Sequence, residues 1–290
     1  MEFLVIALVL SLLWSLNPAA VSKWGRHAPP ILFTAVRALF AFVFLLIALY
    51  VLTYTGFTAS TNSITPLAAT LIFLSALTGP AFGDTLYVKS IQLLGGSLAV
   101  TISYTYIMFT QLFAHVFGVE VVGLHTVVGG AVAFAGIMVA VLGNDIRRTN
   151  VKGIVCAIGA AVNWGMATVL IKAVRSYMDP VLLSITRLLM VFVIMLTLSA
   201  VLERDRLVVD KEFVIAALVT GILGWGLGMV LFVYSIYTVG ASTTSIATAL
   251  TPVLSQVVTR LIASEKPSLR VVAGAVLVAL GIAVSSSKLL

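Results

Sequence analysis

Ionisable side chains are costly inside long apolar runs, so the few that occur there are the first candidates for chemistry. Asp84 is the one acid well inside such a run, about four residues from its end. Two readings stay open for it: a group that couples a proton or a solute to movement, or a structural partner for Lys89 or cavity-lining group near the interface. Arg37 and Arg187 fall about two turns into their runs. An Arg stem can snorkel to the interface, so they read as structural anchors, with capture of a carboxylate as the alternative. The neutral polar and aromatic set is the better binding candidate: Trp14, Asn17, Ser103, Tyr104, Tyr106, Asn163, Trp164, Trp225, Thr248, Thr251 and Ser255, with Gln111 and Gln256 continuing the same stripes. A few donors, acceptors and aromatic faces in an otherwise apolar wall make a small-molecule site. Any single member could equally be an interhelical hydrogen bond or a core aromatic. Ser103, Tyr106 and Thr110 share one helical face, as do Thr248, Thr251 and Ser255, and two such faces could enclose a cavity. Trp14, Tyr106, Asn163 and Thr251 are expected to line it.

Other chemistries find no support in the residues. His27, His115 and His125 lie near run ends without metal-ligand spacing, and neither a Ser-His-Asp set nor paired carboxylates occur inside the runs. Catalysis is not expected, nor is any metal or cofactor. The single cysteine, Cys156, builds neither a disulfide framework nor a thiolate metal site. Gly221, Gly224, Gly226 and Gly228 lie within an apolar stretch rather than a phosphate-binding loop. The 17 Lys and Arg stand singly or in small groups between apolar runs, which argues against nucleic acid as a partner despite the net charge of +7.

The elements that must position these residues follow from composition. Of 290 residues, 61% are hydrophobic and 9% charged, whereas soluble domains carry about 25% charged residues. The chain is therefore expected in a lipid bilayer. Continuous hydrophobicity gives ten spans: 2–22, 31–52, 66–88, 96–117, 123–143, 151–172, 181–202, 213–236, 241–263 and 269–287. Short connectors and runs of Leu, Val, Ala and Phe suit helices rather than barrel strands, so the fold class is all-α. Met1-Glu2-Phe3 offers no basic leader region, so the first span is expected in the mature protein.

The chain also repeats itself. Pro30 to Arg37 matches Pro180 to Arg187 at an offset of 150, opening spans 2 and 7. At an offset of 145, Leu86, Ser90, Gly95, Gln111, Glu120, Gly129, Gly136 and Ile137 recur as Leu231, Ser235, Gly240, Gln256, Glu265, Gly274, Gly281 and Ile282. Two units, 1–145 and 146–290, each of five helices, must enter the membrane from opposite sides. That is an inverted repeat. Gly79 and Gly83 recur as Gly224 and Gly228, a small-residue spacing that lets helices approach closely. Pro18, Pro80 and Pro252 are kink or hinge candidates.

With these motifs the sequence resembles the drug/metabolite transporter superfamily, and within it the ten-helix EamA-type exporters. The carrying residues are Trp164-Gly165 with Lys172, the looser copy Trp14-Ser15 with Lys23, the Pro-to-Arg openings of spans 2 and 7, and the Gln-to-Glu ends of spans 4 and 9. The likeness covers nearly the whole chain. It implies two inverted five-helix halves around a central cavity and export of small metabolites, often amino acids, across the cytoplasmic membrane by alternating access. A permease for another solute, such as a nucleotide sugar or an amphipathic cation, is the alternative within transport, and a membrane scaffold or enzyme outside it. Small multidrug relatives carry a carboxylate eight residues before the Lys; here Trp164 and Ser15 stand there, so their exchange site is missing. A small-molecule solute and the bilayer are the partners implied; the oligomeric state stays open, with a monomer plausible. Eleven basic residues lie in the connectors after odd spans and three in the even connectors and termini, so charge places both termini outside. The family resemblance implies the reverse.

Overall fold

The computed structural model describes residues 2–118, 124–142, 150–204 and 209–286. Ten helical segments follow one another among them: α1 Glu2–Trp24, α2 Pro30–Tyr54, α3 Pro66–Leu94, α4 Gly96–Val116, α5 Leu124–Leu142, α6 Val151–Ala173, α7 Pro180–Leu202, α8 Lys211–Val239, α9 Ala241–Ile262 and α10 Leu269–Ser286. Eight are long and apolar enough to cross a bilayer, while α5 and α10 carry shorter apolar stretches at Val128–Ala140 and Leu269–Gly281. Among the described residues there is no strand, only an isolated bridge between Thr61 and Met178. Glu120, Arg147, Arg148, Arg206 and Lys288 lie outside the described residues.

Helix starts follow local chemistry. Thr65, Asn150, Asp179 and Asp210 each accept a backbone N–H with their side chains at the first turns of α3, α6, α7 and α8, which answers donors that a helix leaves unmet. The start of α2 lacks such a residue because Pro29 precedes it. Its N–H groups at Ile31 and Leu32 are instead taken by the Glu203 carboxylate from the end of α7, at 3.1 and 2.8 Å. Glu265 repeats this arrangement, accepting from Gly96 at 2.8 Å and Ser97 at 3.0 Å at the start of α4. An anion at a helix N-terminus also meets the positive end of its dipole. Both clasps tie the second half of the chain to the first at the end richest in Lys and Arg. At the opposite end the α2–α3 connector meets the α6–α7 connector: Asn62 N–H donates to Tyr177 O at 2.9 Å and Asp179 N–H to Ser60 O at 3.1 Å.

α5 and α10 cross at near backbone contact. A Cβ on Gly281 would stand 2.4 Å from Ala133 N and 2.5 Å from Gly129 O, and one on Gly274 would stand 2.6 Å from Gly136 O. Glycines thus set the packing of this pair. The inner helices are irregular at matching places. α3 passes through a π-helical stretch at Leu77–Gly83 and α8 through one at Thr220–Leu227. α4 is interrupted between Ser103 and Tyr106, and α9 tightens into a 3₁₀ turn at Thr248–Leu250. Such departures free backbone groups and bend the helix. All four fall near mid-span, and those of α3, α4 and α8 contribute to the wall of one cavity.

Candidate solute site

That cavity lies between the two halves. Trp14, Asn17, Arg37, Gly79, Pro80, Asp84, Tyr87, Tyr104 and Tyr106 line it from the first, and Trp164, Ala167, Thr168, Ile171, Arg187, Trp225, Met229 and Phe232 from the second. Its volume is about 80 Å³, room for a few waters and well below the roughly 300–1,000 Å³ of sites that enclose drug-sized molecules.

Asp84 organises one side of it. Arg37 Nη1 lies 3.2 Å from Asp84 Oδ1, and the Arg37 guanidinium lies over the Trp225 ring, 4.1 Å from its centroid. Trp164 Nε1 donates to Asp84 Oδ2 at 3.2 Å. The carboxylate of the first half therefore holds an arginine of its own half and an indole of the other. This pair is the one ion pair among the described residues, and both side chains are buried, at 1% and 8% exposed. A buried charge needs such a partner and further hydrogen bonds to stay ionised. The other side has no acid: Arg187, 1% exposed, donates through Nη2 to the Ser75 carbonyl at 2.9 Å and through Nη1 to Met229 Sδ at 3.3 Å.

The two repeat-related tryptophans cross between halves. Trp14 Nε1 donates to Gly224 O at 3.0 Å, and the ring packs on Phe232 at 4.9 Å. Trp164 packs edge-on against Tyr87 at 4.9 Å and Tyr106 at 5.9 Å. Each indole lies on a glycine of the opposite half: a Cβ on Gly83 would stand 2.7 Å from Trp164 Cδ1, and one on Gly228 would stand 2.6 Å from Trp14 Nε1. The recurrent glycines therefore make space for the indoles. Aromatic faces give large apolar contact with a preferred edge geometry.

With this geometry in view, comparison with known proteins decides the lineage. The model of the EamA-like transporter family matches twice, over residues 2–142 and 151–287. The chain belongs to the EamA-like transporter family. A solved crystal structure at 20% identity aligns over 98% of this chain and 97% of its own with a TM-score of 0.74, a likeness of fold. No curated protein matches. As an EamA-like transporter the chain is a multi-pass membrane protein that handles a small solute.

Of the polar and aromatic residues singled out in the sequence, Trp14, Asn17, Tyr104, Tyr106, Trp164, Trp225 and Asp84 meet in this EamA-family cavity. Others lie outside its wall. Asn163 donates to Gly159 O at 2.8 Å, one turn back on α6. Ser103, Gln111, Thr248, Thr251 and Gln256 are buried. The stripes of α4 and α9 close on each other rather than enclosing an opening: Tyr106 and Thr248 hydroxyls bond at 2.8 Å, and Gln256 Nε2 donates to the Ser97 carbonyl at 3.2 Å. Two further expectations change. Asp84 pairs with Arg37 and not with Lys89. Arg37 and Arg187 are not interface anchors, because they lie on inward faces where a snorkelling stem finds no route to water, and both line the cavity. Tyr87, Ala167, Thr168, Ile171 and Phe232 also line the wall without having been singled out. The matched Pro-to-Arg openings were the signal for the arginines, since an ionisable residue repeated at one depth in both halves belongs to the shared interior design.

Proposed function

We propose that this protein is a secondary transporter exporting small organic metabolites, amino acids or related compounds, across the cytoplasmic membrane by alternating access of its two halves. The observation that supports this most is the mid-span cavity with walls from both halves, carrying aromatic faces, one acid and two arginines. Such a wall suits a small zwitterion: apolar contact for a side chain and charges of both signs for its ends. The 80 Å³ present holds only a few waters, so any organic solute needs the cavity to open, and a nucleotide sugar needs it to open furthest. An amphipathic cation would meet an acid already held by Arg37 and an excess of positive charge. Hydrogen bonds join the halves at both ends, through Glu203 and Glu265 at one and the Thr61–Met178 bridge at the other, and alternating access requires each set to open in turn. Trp14, Tyr106, Trp164 and Trp225 form the contact surface, and Asp84 is the candidate coupling group. The Tyr106–Thr248 and Gln256–Ser97 hydrogen bonds position α4 against α9. Energy comes from an ion or solute gradient.

The test is counterflow in proteoliposomes of the purified chain, with labelled amino acids, a nucleotide sugar and a quaternary ammonium compound. Amino-acid counterflow that empty vesicles and the Trp164→Ala protein lack is the expected result. Movement of only the nucleotide sugar or the cation would replace the solute class.

A further inference from the structure

We infer that Arg187 is the docking group for the solute's carboxylate, so that the solute supplies the acid that the second half of the chain lacks. The inference rests on the transporter reading above and adds the chemistry by which the solute is held.

The repeat supplies the argument. An offset of 150 sets Arg187 against Arg37, and an offset of 145 sets Met229 against Asp84. In the first half Arg37 Nη1 meets Asp84 Oδ1 at 3.2 Å; in the second, Arg187 Nη1 meets Met229 Sδ at 3.3 Å. One contact is built twice, with a carboxylate in one copy and a thioether in the other. A thioether is a weak acceptor and offers no countercharge. Arg187 has no carboxylate within 4.0 Å among the described residues, its Nη2 partner is a neutral carbonyl, and its Nε has no partner. With two arginines and one aspartate, the wall carries a net formal charge of +1. A buried guanidinium without an anion is expensive to keep, and its planar fork matches a carboxylate in two parallel hydrogen bonds. Gly79 adds room: a Cβ there would stand 2.8 Å from Arg187 Nη2. Asn17 Oδ1, another lining atom without a partner, is an acceptor for an N–H of the same solute.

The experiment uses the full chain, purified and reconstituted, with L-leucine, L-phenylalanine and benzoate as probes and their primary amides, which lack the carboxylate's charge, as matches. Binding is read from indole fluorescence, since Trp14, Trp164 and Trp225 line the cavity. At least one acid is expected to bind about ten- to a hundredfold more tightly than its amide, the range for a hydrogen bond to a charged group. Arg187→Met should erase that preference and Arg187→Lys keep part of it. Met229→Asp should erase it as well by completing the pair from within, while raising the thermal midpoint of the unliganded protein. If Arg187→Met does not insert, Met229→Asp carries the test. Equal binding of acids and amides, no binding of any acid, or an acid preference surviving in Met229→Asp would each overturn the inference. An acid preference without counterflow of any solute would refute transport and leave the docking group standing.

Discussion

Arg37 and Asp84 form a buried pair whose removal, one side at a time, leaves a naked charge. In Asp84→Met, Arg37 stays 1% exposed and keeps only the Trp225 face at 4.1 Å, worth about 0.5–2 kcal/mol. In Arg37→Met, Asp84 keeps the Trp164 N–H at 3.2 Å and the Trp225 indole but no countercharge. Breaking a buried pair from one side costs about 3–5 kcal/mol, and cavity water recovers part of it, so each single change is expected to lose roughly 3 kcal/mol. The double change Arg37→Met with Asp84→Met removes both charges and fills the space with apolar atoms. It is expected to lose less than either single change, giving a coupling of about 3 kcal/mol or more. Denaturant unfolding of the four proteins in mild detergent, followed by helical circular dichroism, measures the cycle. Losses that simply add would refute the pair as an energetic unit.

Other outcomes test the site and the fold. Asp84→Asn removes the titratable carboxylate of the cavity wall, so the response of counterflow to an imposed pH gradient should vanish while exchange persists; an unchanged response makes Asp84 a counter-ion only. Trp164→Ala and Tyr106→Ala should lower transport at least tenfold with little change in membrane insertion, measured by counterflow against the amount of protein in purified membranes. Gly281→Val brings side-chain atoms onto Ala133 and Gly129, so the α5–α10 pair should loosen and the thermal midpoint fall, whereas Ala283→Val, exposed on the same helix, should be neutral. For orientation, with Cys156 replaced by Ala, Thr58→Cys should react with an impermeant thiol reagent in intact cells and Val209→Cys should resist it, following the basic end; the opposite pattern would put the termini in the cytoplasm.

The helical fold was legible because bilayer length and the repeat act through composition and spacing, which survive in any sequence. The site was half legible. Trp14, Tyr106, Trp164 and Trp225 stand out as polar-tipped aromatics near mid-span, and all reach the cavity. Faces were harder to read. The stripe through Ser103, Tyr106 and Thr110 assumes one unbroken helix, but α4 is interrupted after Ser103, so the phase slips and the stripe turns toward α9. Arg37 and Arg187 were misplaced for a different reason: depth in a span is readable from residue counts, but which side of the helix meets protein depends on neighbours that the sequence alone does not rank.

The π-helical stretches at Leu77–Gly83 and Thr220–Leu227 have a mechanical consequence. A π turn holds one residue more than an α turn, and that surplus can travel along a helix as a defect. Each step turns the residue it passes by about 100° and leaves both flanks in place. Gly79 and Gly224, one in each stretch, lie beside Arg187 and Arg37 and are small enough to let the defect pass. In the alternating access proposed above, such a shift would re-aim the cavity wall with little displacement of the ends of the two helices.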